Sequence, residues 1–325
     1  MAERVVVTGG AGFIGSHVVE ALLALGAEVH VVDDLATGRR EQIPTAAIFH
    51  ELDVSDVHGM VALAERIAPV DRWYHLAAQV DVRISVERPE FDARVNIVGT
   101  IAAAAAARAS GGGPVIYAST GGAIYGECVD GRPATEQARE RPESPYGAAK
   151  LAGEVFLGQD ARLHGGRHAI LRFANVYGPR QDPHGEGGVV AIFGGRVHDG
   201  GTPRIYGDGL QTRDFTYVGD VARAMLAAGD AAVTGSDVAL RADGMLPTYN
   251  VATGIETSVV ELWEATQRVG GITREPDFQP ARTGDVLRSV LDATHLRESL
   301  GIACDTPLDD GLAATIAWLG SQVRA

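Results

Sequence analysis

Tyr146 and Lys150 are the two side chains whose types and spacing first suggest acid–base chemistry. Ser144 is a favourable N-cap and Pro145 a favourable first helical residue, so a helix is predicted to begin there. Tyr146 and Lys150 then lie on one face of that helix. A nearby ammonium and the positive helix N-terminus both favour phenolate, so the pKa of Tyr146 is expected to fall below the usual value of about 10. Such a tyrosine can take a proton from a sugar or alcohol hydroxyl, although the spacing alone also fits an ordinary surface pair on one helical turn.

A glycine-rich segment near the start of the chain, TGGAGFIG at Thr8–Gly15, indicates a dinucleotide site. It follows one predicted strand and opens a predicted helix, which is the context that a phosphate-binding loop requires. The spacing is GxxGxxG rather than GxGxxG, and its glycines let the backbone approach a pyrophosphate at the helix N-terminus. The loop residues predicted to bind the cofactor are Gly9, Gly12, Phe13, Ile14 and Gly15.

Residues at the ends of the next predicted strands identify the cofactor. Asp33 ends the second strand about 20 residues after the loop, where an acid accepts from the adenosine ribose 2′-hydroxyl and repels a 2′-phosphate. NAD is therefore predicted in preference to NADP. Asp34 is included in the site, although a turn aspartate is a common alternative for it. Asp53 and Val54 close the third strand, where the aspartate can accept from the adenine amino group. The fourth strand ends in small residues against which a cofactor can lie, namely Leu76, Ala77 and Ala78.

Composition excludes several classes of function. The 325 residues are 46% hydrophobic and 22% charged, as in a soluble globular protein with a sizeable core. A net charge of −14 and a pI near 5.1 argue against a nucleic-acid partner, which needs basic patches. Cys128 and Cys304 give no disulfide framework, which suits a reducing cytoplasm. The alanine-rich run Ile101–Ala107 is too short to cross a membrane, and the strand pattern at Arg4–Thr8 leaves no room for a signal peptide. A cytoplasmic location is predicted, with no membrane partner and no metal site.

Strand and helix patterns alternate through the first half of the chain. The predicted strands are Arg4–Thr8, Glu28–Val32, Ala47–Glu51, Arg72–Leu76, Pro114–Ala118 and His168–Phe173. The predicted helices are Ser16–Leu25, Val57–Ala68, Phe91–Ala109, Ser144–Leu163, Val189–Asp199, Val218–Gly229, Ser258–Val269 and Leu308–Val323. This βαβ rhythm predicts an α/β fold, a doubly wound parallel (Rossmann) sheet with a smaller mixed α/β substrate domain. The dinucleotide domain is expected to span residues 1–175, with returns near 216–228 and 248–252, and the substrate domain residues 176–325.

These features together resemble the extended short-chain dehydrogenases/reductases. The resemblance is carried by the glycine loop, Asp33, Asp53, His75–Ala78, Asn96 and the Tyr146/Lys150 pair. The whole chain further resembles the UDP-glucose 4-epimerase branch of the NAD-dependent epimerase/dehydratase family. The supporting stretches are Leu76–Val98, Ala118–Glu127, Arg172–Arg180, Tyr206–Tyr217 and Arg282–Asp285.

The resemblance implies further binding roles. Gln79 and Asn96 would belong to the cofactor site, although a helix asparagine can instead cap or buttress a loop, and Lys150 would hydrogen-bond the nicotinamide ribose. Arg213 and Arg282 would clamp the substrate diphosphate, which suits guanidinium geometry, with surface or structural salt bridges as the alternative. The other implied residues of the UDP-sugar site are Asn175 for a phosphate, Val189 at the uracil, Asp285 for the uridine ribose and Ser289 beside the sugar, together with Gly188 and Tyr206. A homodimer through the helices at Phe91–Ala109 and Ser144–Leu163 is also implied.

One position departs from the family pattern. Many relatives place a catalytic Ser or Thr four residues before the tyrosine that corresponds to Tyr125, and this chain has Gly121 there. Thr120 is predicted to be the hydroxyl partner of the sugar 4-hydroxyl, with Ser119 in reserve. Both can also be ordinary hydroxyls at a strand end.

The segment Gly121–Ala123 selects among the reactions of the family. Dehydratase relatives carry an Asp-Glu pair there and decarboxylases a Glu, whereas this segment has no ionisable side chain. The predicted reaction is NAD-dependent 4-epimerisation of UDP-glucose and UDP-galactose through a 4-keto intermediate. A small residue at Ser289 implies that UDP-GlcNAc and UDP-GalNAc also enter. The alternatives are a UDP-glucuronate 4-epimerase or another sugar-nucleotide-modifying member. A non-catalytic NAD sensor is disfavoured, because such proteins typically lose the Tyr or the Lys.

Overall fold

Short runs of β-branched residues form the strands of one parallel sheet. The computed structural model describes residues 2–128, 131–183, 188–235, 246–281 and 286–323. The strands are β1 (Arg4–Thr8), β2 (Glu28–Asp33), β3 (Ile48–Glu51), β4 (Arg72–His75), β5 (Val115–Thr120), β6 (Ala169–Phe173), β7 (Asn175–Tyr177), β8 (Arg204–Tyr206), β9 (Thr212–Arg213), β10 (Phe215–Tyr217), β11 (Thr248–Val251), β12 (Thr257–Ser258), β13 (Asp277–Gln279) and β14 (Arg288–Ser289).

Helices connect these strands. They are α1 (Phe13–Ala24), α2 (Val57–Ile67), α3 (Val82–Glu87), α4 (Pro89–Ala93), α5 (Gly99–Ala109), α6 (Gly121–Ile124), α7 (Pro145–His164), α8 (Val189–Asp199), α9 (Val218–Thr234), α10 (Val259–Gly270), α11 (Thr294–Leu300) and α12 (Leu308–Val323). A 3₁₀ turn spans Arg40–Gln42, and a π-helical segment spans Arg94–Val98.

The main sheet has the strand order β11-β6-β5-β4-β1-β2-β3, with every neighbouring pair parallel. Apart from the edge strand β3, its strands are buried on both faces, as is typical of parallel sheets. In β1, Val5 and Val7 pack in the core beneath α1 and α9, whereas Val6 packs in the core beneath α2, α5 and α7. This alternation follows from the two-residue period of a strand. The predicted doubly wound α/β fold is confirmed.

A second, smaller core forms where α8, α10 and α12 pack together around Phe193, Trp263 and Leu312. Small sheets surround it: β10 pairs with β7, β13 with β8, and β9 lies between β12 and β14. Both parallel and antiparallel pairs occur among them. The chain also comes back to the main sheet, because β11 pairs with β6 and α9 packs against α1. These are the two segments for which a return was predicted.

Several helices differ from the prediction: α9 runs to Thr234 instead of ending at Gly229, and the short helices α3, α6 and α11 were not predicted. The helix predicted to begin at Ser16 begins at Phe13, because the glycine loop turns directly into its first turn with Gly12 as N-cap. The single helix predicted for Phe91–Ala109 is divided into α4, the π-helical segment and α5. The extra residue in a π-type turn leaves the hydrophobic pattern almost unchanged, so the sequence did not reveal it. The short strands β7–β10 and β12–β14 were not predicted, since pieces of two or three residues show too little periodicity. No helix among the described residues is both long and apolar enough to cross a bilayer.

Candidate active site

The glycine loop packs its backbone tightly between the ends of β1 and β4. Gly9 has φ +71°, and a Cβ built on it would lie 2.6 Å from the backbone nitrogen of Ala77. A Cβ on Gly15 would lie within van der Waals overlap of Gly9. The first N–H groups of α1, those of Phe13 and Ile14 among them, have no acceptor within the helix. Their alignment at a helix N-terminus suits a phosphate, so the loop fits the pyrophosphate of a dinucleotide.

Asp33 lies at the end of β2, beside this loop. Its carboxylate accepts hydrogen bonds from the backbone N–H groups of Ala11 at 3.0 Å and Leu35 at 2.9 Å. Burial raises the pKa of Asp33, and the two amide bonds oppose that rise. Asp34 is exposed and accepts from the N–H of Ala36, which is the turn role considered for it. Among these acids, Asp33 is therefore the one held against the loop.

The third strand is followed by Asp53, and its carboxylate accepts from the N–H of Ser55 at 2.8 Å. Asp53 is half-buried, whereas Val54 beside it is buried in the core under α2 and α5. Asp53 is thus an Asx-turn residue whose carboxylate remains partly open to a ligand.

The loop after β4, Leu76–Gln79, is held from behind by Asn96. The side-chain oxygen of Asn96 accepts from the backbone N–H of Gln79 at 3.1 Å. The side-chain amide of Asn96 donates to the backbone carbonyl of Gln79 at 2.9 Å and to the carboxylate of Asp92 at 3.0 Å. Asn96 lies buried in the π-helical segment. All of these contacts fix the loop, so the structure favours the buttressing alternative for Asn96 over direct contact with a cofactor.

Helix α7 presents Tyr146 and Lys150 as predicted. The Ser144 hydroxyl accepts from the N–H of Gly147 at 3.1 Å and Pro145 is the first helical residue, so the predicted N-cap is confirmed. The Lys150 side chain is only 3% exposed; its ammonium donates to the carbonyl of Ala118 at 2.9 Å and lies over the Tyr117 ring. Burial lowers the pKa of Lys150 to about 8.

The electrostatics of Tyr146 correct the expectation drawn from spacing. Burial raises the pKa of Tyr146 well above its ordinary value, and the carboxylate of Asp92 raises it further. A hydrogen bond with Thr120 opposes this rise. Desolvation of the phenolate is the largest of these influences, and it sets the direction of the shift. Spacing shows which groups are neighbours, but not how much water they have lost.

The two candidate hydroxyls at the end of β5 both contact α7, but they bond different side chains of it. Thr120 hydrogen-bonds Tyr146. Ser119 donates to the buried carboxylate of Glu154 at 2.5 Å. Ser119 is therefore engaged by a carboxylate two helical turns beyond Tyr146, whereas Thr120 bonds the tyrosine itself. The geometry favours Thr120 over Ser119 as the hydroxyl partner, and both assignments stay predictions.

Glu154 belongs to a buried polar cluster that the sequence reading did not identify. Nε and Nη2 of Arg172 on β6 donate to the two oxygens of Glu154. Nη2 also donates to Glu140 at 3.0 Å, and Nη1 donates to Tyr125 at 2.9 Å. Tyr125 in turn donates to Asn250 on β11. One signal was available: Glu154 is four residues after Lys150 on the same helical face. Another was an arginine inside an otherwise apolar strand.

Several predicted substrate residues come together beside the turn at Gly122. A Cβ built on Gly122 would lie 3.8 Å from Asn175 Oδ1 and 4.0 Å from Ser289 Oγ. Ser289 is paired in register with Arg213 across β14 and β9, and the Arg213 guanidinium donates to the carbonyl of Thr212. Residues distant in the sequence therefore meet next to the Tyr146–Thr120 pair, because α6 packs against α7.

Other predicted substrate residues lie in the smaller core. Tyr206 ends β8 and lines a cavity of about 340 Å³ with Ile192 and Arg204. Gly188 is the N-cap of α8 and Val189 its first residue. Arg282 and Asp285 lie outside the described residues. Within the residues that the structure describes, no group of three or more His, Cys, Asp or Glu side chains could hold a metal ion.

Comparisons with known proteins agree with this geometry. The NAD dependent epimerase/dehydratase family is matched over residues 5–240. The UDP-glucose 4-epimerase of Mycolicibacterium smegmatis is 44% identical over 324 residues, which cover 98% of this chain and 99% of that protein. The structure of the Thermotoga maritima UDP-glucose 4-epimerase with UDP-glucose has a TM-score of 0.91 at 40% identity, covering 98% of this chain and 99% of that one. A UDP-N-acetylglucosamine 4-epimerase from Methanobrevibacter ruminantium M1, solved with UDP-N-acetylmuramic acid, has a TM-score of 0.89 at 31% identity, covering 99% and 100%.

Proposed function

Because the chain belongs to the NAD dependent epimerase/dehydratase family, we propose that it is an NAD-dependent UDP-hexose 4-epimerase. It interconverts UDP-glucose and UDP-galactose through a 4-keto sugar. The observation that carries this proposal is the hydrogen-bonded Tyr146–Thr120 pair beside a turn, Gly121–Ala123, that has no ionisable side chain. Removal of water from the sugar would need an additional acid and base at that turn. Oxidation and re-reduction of one carbon by NAD need only the tyrosine as acid–base group.

The residues at the carboxyl ends of β1, β2 and β4 fit NAD. The open N–H groups of α1 suit the pyrophosphate, and Gly9 leaves room that a side chain would fill. The Asp33 carboxylate suits the hydroxyls of an adenosine ribose and disfavours a 2′-phosphate. When bound, NAD supplies the hydride acceptor and donor for C4′, and its oxidised nicotinamide carries a positive charge that favours the phenolate of Tyr146.

The chain's own residues then move one proton in each direction. Tyr146 as phenolate takes the proton of the sugar 4′-hydroxyl while Thr120 holds the oxygen that loses it. The keto sugar turns about its diphosphate linkage and presents its other face. Tyr146 returns the same proton to the oxygen at C4′, so the configuration is inverted and no net proton or electron is consumed. Lys150, anchored on the carbonyl of Ala118, keeps a positive charge behind the tyrosine throughout.

The side chains around Gly122 support a site for the UDP-sugar. Asn175 and Arg213 suit the diphosphate, to which an amide and a guanidinium can donate. Val189, the first residue of α8, suits the uracil, and Tyr206 lines the cavity of the smaller core. Arg282 and Asp285 complete the proposed set, the former for the diphosphate and the latter for the uridine ribose. These assignments rest on the family resemblance, and the proximity of Asn175, Ser289 and Gly122 supports them.

Substitution of Tyr146 tests the reaction directly. Tyr146→Phe is expected to retain NAD and lose kcat by about 10²- to 10⁴-fold, because a general base is removed. Tyr74→Phe is the matched control: its hydroxyl is also buried, but it lies 3.5 Å from Arg72, on the face of the sheet that α9 covers. A purified protein that holds NAD and interconverts no UDP-hexose would refute the proposal. A substrate panel that includes UDP-glucuronate distinguishes a UDP-glucuronate 4-epimerase from a UDP-hexose 4-epimerase.

Ser289 supports a wider sugar range. The small side chain beside Gly122 leaves space next to the sugar, so we propose that UDP-GlcNAc and UDP-GalNAc also react. Ser289→Tyr is expected to suppress turnover of the acetamido sugars and to spare UDP-galactose. The proposal fails if the unaltered enzyme converts UDP-galactose but not UDP-GalNAc.

We also propose a homodimer, with one change to the expected surface. The alanine-rich face of α5 is buried against α2 within the chain and is not available to a partner. The exposed apolar side chains Val155 and Phe156 of α7, beside Val82 and Val86 of α3, support pairing through these two helices. Light scattering of Phe156→Glu, expected to be monomeric, tests this against the unaltered protein.

A cytoplasmic location stays a prediction.

A further inference from the structure

Asp92 on α4 is a buried carboxylate whose charge the loop contacts do not explain. It is 0% exposed. One of its oxygens, Oδ1, accepts from the side-chain amides of Gln79 at 2.8 Å and Asn96 at 3.0 Å. The other oxygen, Oδ2, is buried and has no hydrogen-bond donor among the described residues.

Support of the loop after β4 does not require a negative charge at Asp92. The carbonyl oxygen of an asparagine side chain could accept the same two hydrogen bonds. A buried carboxylate with an unpaired oxygen is costly, and an amide in its place would be cheaper. The charge itself must therefore serve a second group.

Lys150 is the buried cation that this charge can serve. Its ammonium has three N–H donors, and its hydrogen-bond acceptor in the described part of the chain is the carbonyl of Ala118. Two carboxylates, those of Asp92 and Glu154, act electrostatically on it. Glu154 is already paired with the guanidinium of Arg172. Within the described ranges, the donors to Asp92 are neutral amides only, and α4 and α7 pack directly against each other.

We propose that Asp92 is the buried counter-charge of Lys150 and acts through it as a positioning residue for the Tyr146–Lys150 pair. This inference rests on the proposed epimerase function and adds a residue to it. The other titratable groups that face the pair are His75 from β4, Tyr117 from β5 and Glu154 from α7. His75 and Tyr117 are buried and neutral, since burial lowers the pKa of the former and raises that of the latter.

The counter-charge suits a base that must also act as an acid. Tyr146 takes a proton in one half of the reaction and returns it in the other, so its pKa has to lie near the working pH. Lys150 and the helix N-terminus favour the phenolate. Asp92 opposes them and retains the proton on Lys150. Together the charges keep the tyrosine able to exchange its proton in both directions.

The test is the pH profile of NAD-loaded Asp92→Asn. Loss of the negative charge makes the phenolate easier to form and the ammonium easier to deprotonate. Both the rising acid limb and the falling alkaline limb of kcat are expected to move to lower pH by about one unit. Unmoved limbs in a folded, NAD-loaded variant would overturn the proposal.

Thr8→Val is the matched control, because the Thr8 hydroxyl accepts from the N–H of Ala77 in the same loop at 3.3 Å, and its removal leaves Asp92 and both of its donors in place. This variant is expected to lower NAD retention and to leave both limbs of the kcat pH profile at their original pH. If both limbs moved as far as in Asp92→Asn, the effect would belong to the loop and the proposal would be overturned. If Asp92→Asn does not fold, Asp92→Glu is tested instead. Because it keeps the negative charge, the limbs of its kcat pH profile must coincide with those of the unaltered enzyme.

A readout without turnover separates this proposal from the proposed function. The phenolate absorbance of Tyr146, taken as the difference from Tyr146→Phe in each background, is titrated in NAD-loaded protein. Ionisation of Tyr146 at lower pH in Asp92→Asn supports the counter-charge even if no UDP-hexose is converted. An unchanged titration overturns it even in an active epimerase.

Discussion

The buried pair of Arg172 and Glu154 gives the sharpest prediction about stability. The guanidinium is 2% exposed and the carboxylate 0% exposed. Nε donates to Oε1 at 3.0 Å and Nη2 to Oε2 at 2.6 Å. Glu154 also accepts from Ser119, next to the proposed hydroxyl partner of Tyr146. The perturbation is a cycle of Glu154→Leu, Arg172→Met and the double substitution.

The magnitudes follow from what each change leaves behind. Glu154→Leu leaves a buried guanidinium that keeps Glu140 and Tyr125, so its cost should lie near the lower end of about 3–5 kcal/mol for breaking a buried pair. Arg172→Met leaves a fully buried carboxylate with Ser119 as its remaining donor, so its cost should lie near the upper end of that range, about 5 kcal/mol. The double variant has neither charge. Its cost should fall to about 2 kcal/mol, because the neutral hydroxyls of Ser119 and Tyr125 each lose one hydrogen-bond partner.

Urea unfolding followed by circular dichroism measures these free energies. The matched control is the pair of Arg268 and Asp309, which has the same two-bond geometry but side chains 62% and 48% exposed. Its cycle is expected to give less than about 1 kcal/mol. The reasoning is refuted if the buried pair costs no more than this surface pair. It is also refuted if the two single changes add without a coupling of at least about 2 kcal/mol.

Three further predictions concern the loops, the hydroxyls and pH. Gly9→Ala is expected to abolish NAD retention, because a Cβ there would lie 2.6 Å from a backbone nitrogen. Gly26→Ala, at φ +83° in open space, should lower stability alone. The NAD content after purification distinguishes the two variants. Thr120→Val is expected to lower kcat by about 10²-fold with NAD retained, and an equal loss in Ser119→Ala would contradict the assignment. Burial lowers the pKa of His168 to about 4. The unfolded chain alone therefore gains this proton as pH falls from about 6.5 to 4, and the free energy of unfolding should drop across that window by up to about 3 kcal/mol. Urea midpoints at several pH values should show a smaller drop for His168→Asn.

Much of the fold could be predicted from local pattern. The strand Arg4–Thr8 and the helices at Val189–Asp199 and Leu308–Val323 match the structure at both ends. The periodicity of buried residues carries that information, since a strand repeats every two residues and a helix every 3.6. The break of the helix at Arg94–Val98 was missed, because a π-type turn changes backbone hydrogen bonding and not the order of apolar residues.

The site divides in the same way. Residue types and short spacings determined the Tyr146–Lys150 pair, the glycine loop and Asp33, since each depends on neighbours within one strand–turn–helix unit. The tertiary structure alone decided which hydroxyl faces Tyr146, and it brought Ser289 beside Gly122. Those outcomes depend on how distant segments pack.

Desolvation supplies the remaining physical reason. From the sequence, the pKa of Tyr146 was expected to fall, because a lysine lies one turn away. In the structure it rises, because burial and the carboxylate of Asp92 both disfavour the phenolate. A sequence fixes which charges a chain carries and which of them are close along the backbone. Only the folded structure sets how much water each charge loses and which opposite charge replaces that water.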